Sequence, residues 1–555
     1  MRKTGRTSDH TAVIVAVVLA LVHSAILLYY ARYHMNAAPL FGDEADKIAQ
    51  AANFFYTRSL QILDGAPYPP LIYFCTFPLY AIFGVGKLTA VSTNILFLAV
   101  LAVSLFSIIR HFGKSDWYAV LAFAVVMFFP GVFALSRIYF QDFANIAMVT
   151  ATFAALLATR NFSNLRATVV FAVVGGLGML TRGNNMIFWI VPTTFTALEG
   201  LVVQRRGAGS ESRLRTLRNI VIGAAIGFVI AAMWYLRNYP FVFEFGRSRL
   251  TLNANMAHVP WYDPESLLFY LYAMIDYQIS PWLFPTILAV SVFALVRKFR
   301  SLVPILLWIA VPYIFFCFPQ WKLARYTAPI LPAFAILFAL GIEAVPRKVI
   351  RGVLIALVLI PAVVQFAFFS ARGSADDVTE FLGNGKLAGF LLRFHMDLAV
   401  YQDAEPKPIQ DTNFHVDEVG KVLTRLNYPG RQYKLLCFDE QVYFDLPGNV
   451  PEVVVECGYF WHYVITINNV NALLIESALL DDGRIVYRRP ENLTHVDATP
   501  DAADLLVSFG DQPIEQLGLY DKFHRIYEAK MPCCADDMMF FARKSVPVVE
   551  TGAGP

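Results

Sequence analysis

The sequence is poor in charge. Only 16% of the 555 residues are Asp, Glu, Lys or Arg, whereas 57% are hydrophobic and the mean hydropathy is +0.52. This composition is far more apolar than that of a soluble protein and indicates a polytopic membrane protein. The formal net charge of +3 is too small to indicate a nucleic-acid partner. The Lys and Arg residues lie in the gaps between apolar runs, where their charge indicates membrane topology.

Cysteine is scarce as well. Four of the six cysteines lie near the C-terminal end: Cys437, Cys457, Cys533 and Cys534. The sequence has no CxxC pair and no His-rich spacing, so it contains no zinc-binding pattern. In an oxidising compartment Cys437 and Cys457, each at the end of a candidate strand, can form a disulfide, although two reduced buried cysteines fit equally well. The adjacent Cys533 and Cys534 can pair with each other only under strain.

Long apolar runs fill the first 370 residues. Each run has roughly 17–25 residues, which is enough to cross a hydrocarbon core of about 30 Å. We predict about eleven transmembrane helices, at residues 11–31, 87–109, 117–136, 143–159, 167–181, 185–203, 219–236, 280–296, 302–318, 326–345 and 351–369. The run 71–85 is too short to span and is predicted to be a juxtamembrane or re-entrant helix, because Pro69, Pro70 and Gly84 flank it.

The distribution of Lys and Arg gives an orientation. If Arg2, Lys3 and Arg6 are cytoplasmic, alternation of the spans puts every strongly basic loop on the cytoplasmic side: 110–114, 160–166, 205–218, 297–300 and 347–351. We therefore expect a multi-pass protein of the plasma (inner) membrane. The first span is expected to be retained, since its apolar core is long and no small-residue cleavage site stands out before residue 43.

After Phe369 the composition changes sharply. Charged residues, Pro and Gly become more frequent, and short alternating segments at 433–438, 453–456, 463–467 and 484–487 are typical of strands. We predict two domains: a transmembrane domain at residues 1–370 and a soluble α/β domain at 371–555 on the extracytoplasmic side.

An acidic pair, Asp43 and Glu44, follows the first span directly. Two carboxylates beside the low-dielectric edge of a bilayer are costly and often mark substrate or ion chemistry, although solvated loop caps also have this pattern. The predicted outer face also carries Asp46, Asp142, His258 and several cations: Arg137, Arg182, Arg237, Arg247, Arg249, Lys322 and Arg325.

This combination of charges suits one kind of reaction. A transferase that takes a sugar from a polyprenyl phosphate needs a carboxylate to accept the proton of the attacking hydroxyl and fixed cations to stabilise the departing phosphate. Arginine suits the second task because its planar fork binds phosphate oxygens bidentately. The alternative is that each Lys or Arg merely snorkels to the interface and that Asp142 caps a helix.

Five short motifs occur in order along residues 11–345. They are Asp43-Glu44, Pro69-Pro70-Leu71, Ser136-Arg137 with Asp142, Leu180-Thr181-Arg182, and Lys322 through Arg325-Tyr326 to Pro329 and Pro332. In this order and spacing the chain resembles the GT-C membrane glycosyltransferases of the protein-mannosyltransferase and aminoarabinose-transferase type. All five motifs lie on the side that the charge distribution independently makes extracytoplasmic.

The resemblance implies a GT-C fold and an inverting transfer from a polyprenyl-phosphate sugar to a glycan, lipid or protein acceptor. It implies Asp43 as general base, Glu44 as its orienting partner or acceptor contact, and Asp142 as a second acidic residue of the cavity. The cations that the resemblance assigns to the donor phosphate are Arg137, Arg182, Lys322 and Arg325. The chain departs from the family in having Asp46-Lys47 where an aromatic residue is usual, and Tyr68 where a charged residue usually precedes the two prolines.

The predicted outer loop at 237–279 mixes aromatic residues with charges. Arg247, His258 and Tyr262 are its candidate substrate contacts, because such a composition suits stacking on sugars and gating a cavity. An interfacial aromatic belt has the same composition, and a lone His in a loop is more often structural than catalytic.

No cofactor is required for the proposed chemistry. When the leaving group is a single phosphate, Arg and Lys supply the neutralisation that a metal gives elsewhere. A divalent cation is nevertheless compatible with clustered carboxylates.

Two other functions are kept as alternatives: a transporter or flippase of lipid-linked sugars, and a membrane scaffold whose tail binds a partner. The charges lie at the ends of spans and the two halves of the hydropathy profile do not match, which disfavours a transporter.

Overall fold

A computed structural model gives the architecture of the chain. It describes residues 9–37, 47–48, 50–51, 54–55, 58, 68–207, 210–251, 264–319, 322–371, 432–439, 465–467, 470–479, 485–488, 505–509, 514–515, 518–529 and 538–545. The predicted site residues Asp43, Glu44, His258 and Tyr262 lie outside these ranges.

Helices account for nearly all of the described residues up to 371. They are α1 His10–Ala37, α2 Leu71–Phe83, α3 Lys87–His111, α4 Asp116–Met127, α5 Pro130–Ser136, α6 Gln141–Ala158, α7 Leu165–Met179, α8 Ile190–Gly207, α9 Ser210–Thr251, α10 Pro264–Ala273, α11 Phe284–Cys317, α12 Leu331–Ala344 and α13 Lys348–Ala371. Two 3₁₀ turns, Asn185–Phe188 and Ala324–Ile330, and one π turn, Met274–Gln278, connect them.

Among the described residues, seven helices are long and apolar enough to cross a membrane, or eight if the bent pair α4 and α5 is one span. The polytopic class predicted from composition is confirmed. The predicted number of spans is larger for three reasons. Helix α7 has only 15 residues, and the apolar part of α8, in the predicted span 185–203, is short as well. Helix α11 covers two predicted spans, 280–296 and 302–318.

One predicted span is interrupted, and one helix is kinked between two predicted spans. The span at 117–136 is wrong as a single helix, because α4 and α5 meet at an angle of 76°. Pro130 starts α5, and a proline disfavours helical backbone in the residue before it. Within α11, Lys298 has φ −137° and ψ 35°, so this helix turns sharply between the two predicted spans.

The predicted loop at 237–279 is wrong as a loop. Helix α9 continues to Thr251, and α10 with its π turn covers Pro264–Gln278. With 42 residues, α9 is about 63 Å long. Its last turns are rich in aromatic residues and arginine, a composition that suits an interfacial helix as well as a loop. Pro240 lies inside the helix and removes one backbone hydrogen bond.

The chain divides into two compact units by its internal contacts. The first comprises Met1–Tyr29, Leu63–Leu79 and Val91–Pro408, and the second comprises Tyr30–Ile62, Tyr80–Ala90 and Ile409–Pro555. The predicted boundary between residues 370 and 371 stays a prediction.

Three loops of the first unit that were predicted to be cytoplasmic do come together. Lys114 and Lys298 donate to the two carboxylate oxygens of Glu343, at 2.6 and 3.0 Å. Arg351 donates to the hydroxyl of Tyr118 at 3.3 Å. We call this the basic end of the first unit.

Helix α12 links the basic end to the other end of the first unit. Glu343 is in its last turn, and Arg325 is in the 3₁₀ turn that precedes it. The rise over these 18 residues is about 30 Å, which is the thickness of a hydrocarbon core. Arg325 and Glu343 are thus separated by about the thickness of a hydrocarbon core, and their predicted placement on opposite sides of the membrane stays a prediction.

The second unit contains a mixed sheet. Its seven described strands are β1 Gln432–Asp439, β2 Ile465–Ile467, β3 Val470–Leu479, β4 Ile485–Arg488, β5 Leu505–Phe509, β6 Phe523–Ala529 and β7 Met538–Arg543. The order is β2-β3-β1-β5-β7-β6, with β4 also paired to β3. Among these described strands, only β1 and β5 pair in parallel. Strands β1, β2 and β4 confirm three predicted segments. The predicted strand at 453–456 and Cys457 lie outside the described residues, so the proposed disulfide stays a prediction.

The ion-pair cluster at the basic end yields a stability prediction. The Glu343→Gln variant leaves Lys114 and Lys298 close together without their shared counter-charge, at side-chain exposures of 21% and 35%. We expect a loss of about 1–2 kcal/mol of stability, measured as a lower melting temperature in detergent. Glu199→Gln, at an exposed position, is the control. Equal melting temperatures for the two variants would contradict a stabilising role of the cluster.

Candidate active site

Asp142 is a buried carboxylate at the start of a span. It lies in the first turn of α6 and is 3% exposed. Phe140 occupies the N-cap position, so Asp142 is not the cap of this helix. A negative charge in the first turn is favoured by the helix dipole. Its burial is costly, however, unless cations compensate it.

Two arginines from different segments supply that compensation. Arg182, in the turn after α7, forms an ion pair through Nη1 with Oδ1 of Asp142. The Nε atom of Arg325 lies 4.0 Å from Oδ2 of the same carboxylate. Arg182 is 8% exposed and Arg325 is 5% exposed. The three residues are 40 to 183 positions apart in sequence, and the structure brings them together as predicted.

Aromatic rings hold both guanidinium groups in place. The Arg182 guanidinium lies 5.2 Å from the ring centroid of Tyr326, and that of Arg325 lies 4.9 Å from the centroid of Phe140. Rings in this position attract a cation and fix its plane. Sequence reasoning did not assign a role to either aromatic residue, although Tyr326 belongs to the last motif and Phe140 lies two residues before Asp142.

Arg137 contacts a different set of groups. It follows α5 and is 3% exposed, and its guanidinium lies 4.8 Å from the ring centroid of Phe133 and 5.3 Å from that of Phe366. Its predicted role as a phosphate ligand stays a prediction.

Lys322 lies beyond the C-terminal end of α11. Its ammonium donates to the carbonyls of Cys317 at 2.7 Å and Pro319 at 2.5 Å. Two of its three donors thus bind carbonyls at a helix end, where a cation is favoured. Partial burial lowers the pKa of Lys322, while the nearby Cys317 acts in the opposite direction. Its contact with a phosphate remains a prediction.

Two other motifs adjoin the arginine-carrying segments. The backbone N–H of Leu71 donates to the carbonyl of Leu180 at 2.9 Å, which joins the double-proline motif to the turn that carries Arg182. The hydroxyl of Tyr139 lies 2.7 Å from that of Thr76, in the segment between Arg137 and Asp142. Four of the five predicted motifs therefore contribute to one region.

Arg247 lies near the last turns of α9 and is exposed. Its predicted role in substrate contact stays a prediction. The described residues contain no group of three or more His, Cys, Asp or Glu side chains that could hold a metal ion. Around Asp142 the neighbours are cations, so this described part of the site fits an anionic ligand better than a metal cation.

Asp276 is another carboxylate of the described residues. It lies in the π turn Met274–Gln278, outside the seven long apolar helices. Burial raises the pKa of Asp276 from 3.8 to about 7. Its Oδ2 atom has no hydrogen-bond partner among the described residues. A π turn widens the helix by one residue and often occurs at functional sites.

Comparisons with known proteins come from structure alone. No protein-family model matches the chain, and no curated protein matches it either. The chain is similar to ArnT from Cupriavidus metallidurans in the apo state, with a TM-score of 0.56 and 16% identity over 98% of this chain and 99% of that one. It is also similar to ArnT bound to undecaprenyl phosphate, with a TM-score of 0.55 and 16% identity over 99% of this chain and 100% of ArnT.

The similarity covers both chains almost completely. At this level of identity it shows the fold alone, and the chain therefore has the GT-C fold. The fold predicted from the five motifs is confirmed.

The raised pKa of Asp276 predicts a pH effect on stability. The folded protein retains a proton that the unfolded chain releases above pH 3.8, so the contribution of Asp276 to stability falls as pH rises from 3.8 to about 7. In Asp276→Asn this fall is absent. We expect the variant to have the higher melting temperature at pH 8 and a smaller advantage at pH 5, with Asp521→Asn at an exposed position as the control. The same difference at both pH values would contradict the assignment.

Proposed function

We propose that this protein is an integral-membrane glycosyltransferase that transfers a sugar from a polyprenyl-phosphate donor to an extracytoplasmic acceptor, with inversion. The observation that carries the proposal is the convergence of Arg182 and Arg325 on Asp142 at the start of a span. The acceptor class remains a glycan, a lipid or a protein.

The arginines are suited to the phosphate of the donor. A guanidinium is permanently charged and presents two parallel N–H groups, so it can follow a phosphate oxygen as negative charge develops there. In a region with little water the stabilisation of that charge is stronger than in bulk solution. ArnT, which shares the fold, has been solved with undecaprenyl phosphate bound, and this supports a lipid phosphate as the ligand class here.

The proposed reaction is a single displacement. Asp43 accepts the proton of the acceptor hydroxyl, whose oxygen attacks the anomeric carbon as the bond from that carbon to the phosphate oxygen breaks. The polyprenyl phosphate leaves as an anion. Attack from the face opposite the phosphate inverts the anomeric configuration. Glu44 orients Asp43 or contacts the acceptor.

The remaining assignments follow from this reaction. Asp142 fixes the two arginines between turnovers and can accept hydrogen bonds from sugar hydroxyls. Arg137 and Lys322 add positive charge on the phosphate side. Residues Arg247, His258 and Tyr262 are proposed to contact the acceptor, and the site faces the extracytoplasmic side of the plasma membrane.

The proposed reaction predicts the effect of changing the proton acceptor. Asp43→Asn keeps the shape of the side chain but removes its basicity, so we expect transfer to fall by about 10²–10⁴-fold with nearly normal expression and lipid binding. Turnover is measured in membranes with radiolabelled undecaprenyl-phosphate sugars. Asp46→Asn, three residues away, is the control. Unchanged turnover in Asp43→Asn would remove Asp43 as the base.

A further prediction concerns the phosphate site and does not depend on the identity of the sugar. Arg182→Lys keeps the charge but loses the planar fork, so we expect about tenfold weaker binding of undecaprenyl phosphate. The matched control is Arg110→Lys, because Arg110 forms an ion pair with Asp116 at 2.8 Å at the start of α4. Equal affinities for the two variants would contradict the assignment.

Normal lipid movement across vesicles without transfer would favour the flippase alternative.

A further inference from the structure

We infer that three buried amides, Asn94, Asn145 and Gln278, are positioning residues for the arginines of the site. Each holds residues on both sides of one arginine. The inference rests on the proposed function, because it explains how that function obtains rigid phosphate ligands. It adds residues that none of the five sequence motifs contains.

The turn that carries Arg182 is held by Asn145, one helical turn after Asp142 on α6. Asn145 donates from Nδ2 to Oδ1 of Asn184 at 3.3 Å and accepts at Oδ1 from Nδ2 of Asn185 at 2.7 Å. The hydroxyl of Thr181 is 3.5 Å from the same Oδ1 atom. Arg182 thus lies between residues whose side chains all contact Asn145, which is 1% exposed.

The turn that carries Arg325 is held by Gln278 in the π turn. The Nε2 group of Gln278 donates to the carbonyl of Ala324 and, at 3.0 Å, to the hydroxyl of Thr327. Gln278 is completely buried. Helix α5 packs directly on it, since a Cβ atom on Gly131 would lie 3.0 Å from the Cα atom of Gln278. The amide therefore has little freedom to move away from the turn.

The segment that carries Arg137 is held by Asn94 on α3. Its Nδ2 group donates to the carbonyl of Ser136 at 2.9 Å and to that of Ile138 at 2.8 Å. These are the residues immediately before and after Arg137. The same segment leads directly into Phe140 and Asp142, so Asn94 also fixes the approach to the carboxylate.

A neutral amide suits this task. The carbonyl of Ser136 ends α5, and carbonyls at such an end lack partners within the helix and must be satisfied from elsewhere. A buried amide costs free energy unless it is hydrogen-bonded, so three of them beside three buried arginines require a compensating benefit. A guanidinium fixed before the substrate binds avoids reorganisation when the phosphate departs.

The competing explanation is that these amides only stabilise the helix ends. The chain contains a matched control for that explanation. Asn219 on α9 is completely buried and donates from Nδ2 to the carbonyl of Phe162 at 2.9 Å, away from the site arginines. The Oδ1 atoms of Asn219 and Asn94 both lack a hydrogen-bond partner among the described residues.

The test measures binding of undecaprenyl phosphate to the full-length protein in detergent, together with the melting temperature. The variants are Asn94→Leu, Asn145→Leu and Gln278→Leu, with Asn219→Leu as the control. We expect each site variant to bind about tenfold more weakly and the control to bind like the wild type, although all four lose thermal stability. The phosphorus NMR resonance of the bound lipid should shift in the three site variants alone.

A double variant tests whether the effect passes through the arginine. If Asn145 acts through Arg182, Asn145→Leu causes no further loss of affinity in the Arg182→Lys background. Should Asn145→Leu not accumulate, Asn184→Ala at a half-buried position removes one of the three contacts, and we expect about two- to threefold weaker binding.

The outcomes separate the two proposals. Absence of lipid binding by the wild type would overturn the proposed function and this inference with it. Normal wild-type binding with unchanged affinity in all three site variants would overturn the inference alone. An equal loss in Asn219→Leu, or additive losses in the double variant, would also overturn it, because both results indicate a general structural role.

Discussion

The site depends on one constraint: a charged group buried at the boundary of a membrane must be paired and held. Asp142 enters the membrane region at the first turn of α6, and Arg182 and Arg325 meet it from two other segments. The burial of all three makes their mutual position costly to disturb. A phosphate that competes with Asp142 for the guanidinium groups therefore meets donors that are already oriented.

The placement of charge at the two ends of the first unit agrees with this constraint. Lys114, Lys298 and Glu343 gather at the basic end, and the arginines of the site lie at the other end of α12. The apolar helices between the ends carry few charges and provide the rigid distance of about 30 Å. Helices are interrupted beside the site, after α5, where Arg137 lies, and at the π turn, where Gln278 lies.

The sequence allowed much of this to be predicted. Composition identified a polytopic membrane protein, and the motif order correctly grouped Asp142 with Arg182 and Arg325. The acidic pair Asp43-Glu44 lies outside the described residues, so its role stays a prediction. In the tail, β1, β2 and β4 were predicted from alternation. Strands β3, β5, β6 and β7 were missed, because runs such as Leu505–Phe509 are almost wholly apolar and do not alternate.

Other features could not be predicted from a single sequence, for physical reasons. A lone Asn or Gln in an apolar helix has no periodic signal, so Asn94, Asn145 and Gln278 were not distinguished from other polar residues. The helical nature of 237–251 was missed because aromatic and basic residues are equally common in interfacial helices and in loops. The capping of α11 by Lys322 depends on where that helix ends, which sequence patterns locate only to within a few residues.

The most direct test of the account is an experimental structure of the protein with undecaprenyl phosphate bound. The account predicts that a phosphate oxygen lies within about 3.5 Å of a guanidinium nitrogen of Arg182 or Arg325, with Asp142 still adjoining both residues. A phosphate bound elsewhere, with both arginines unchanged on Asp142, would contradict the central claim that these residues form the phosphate site.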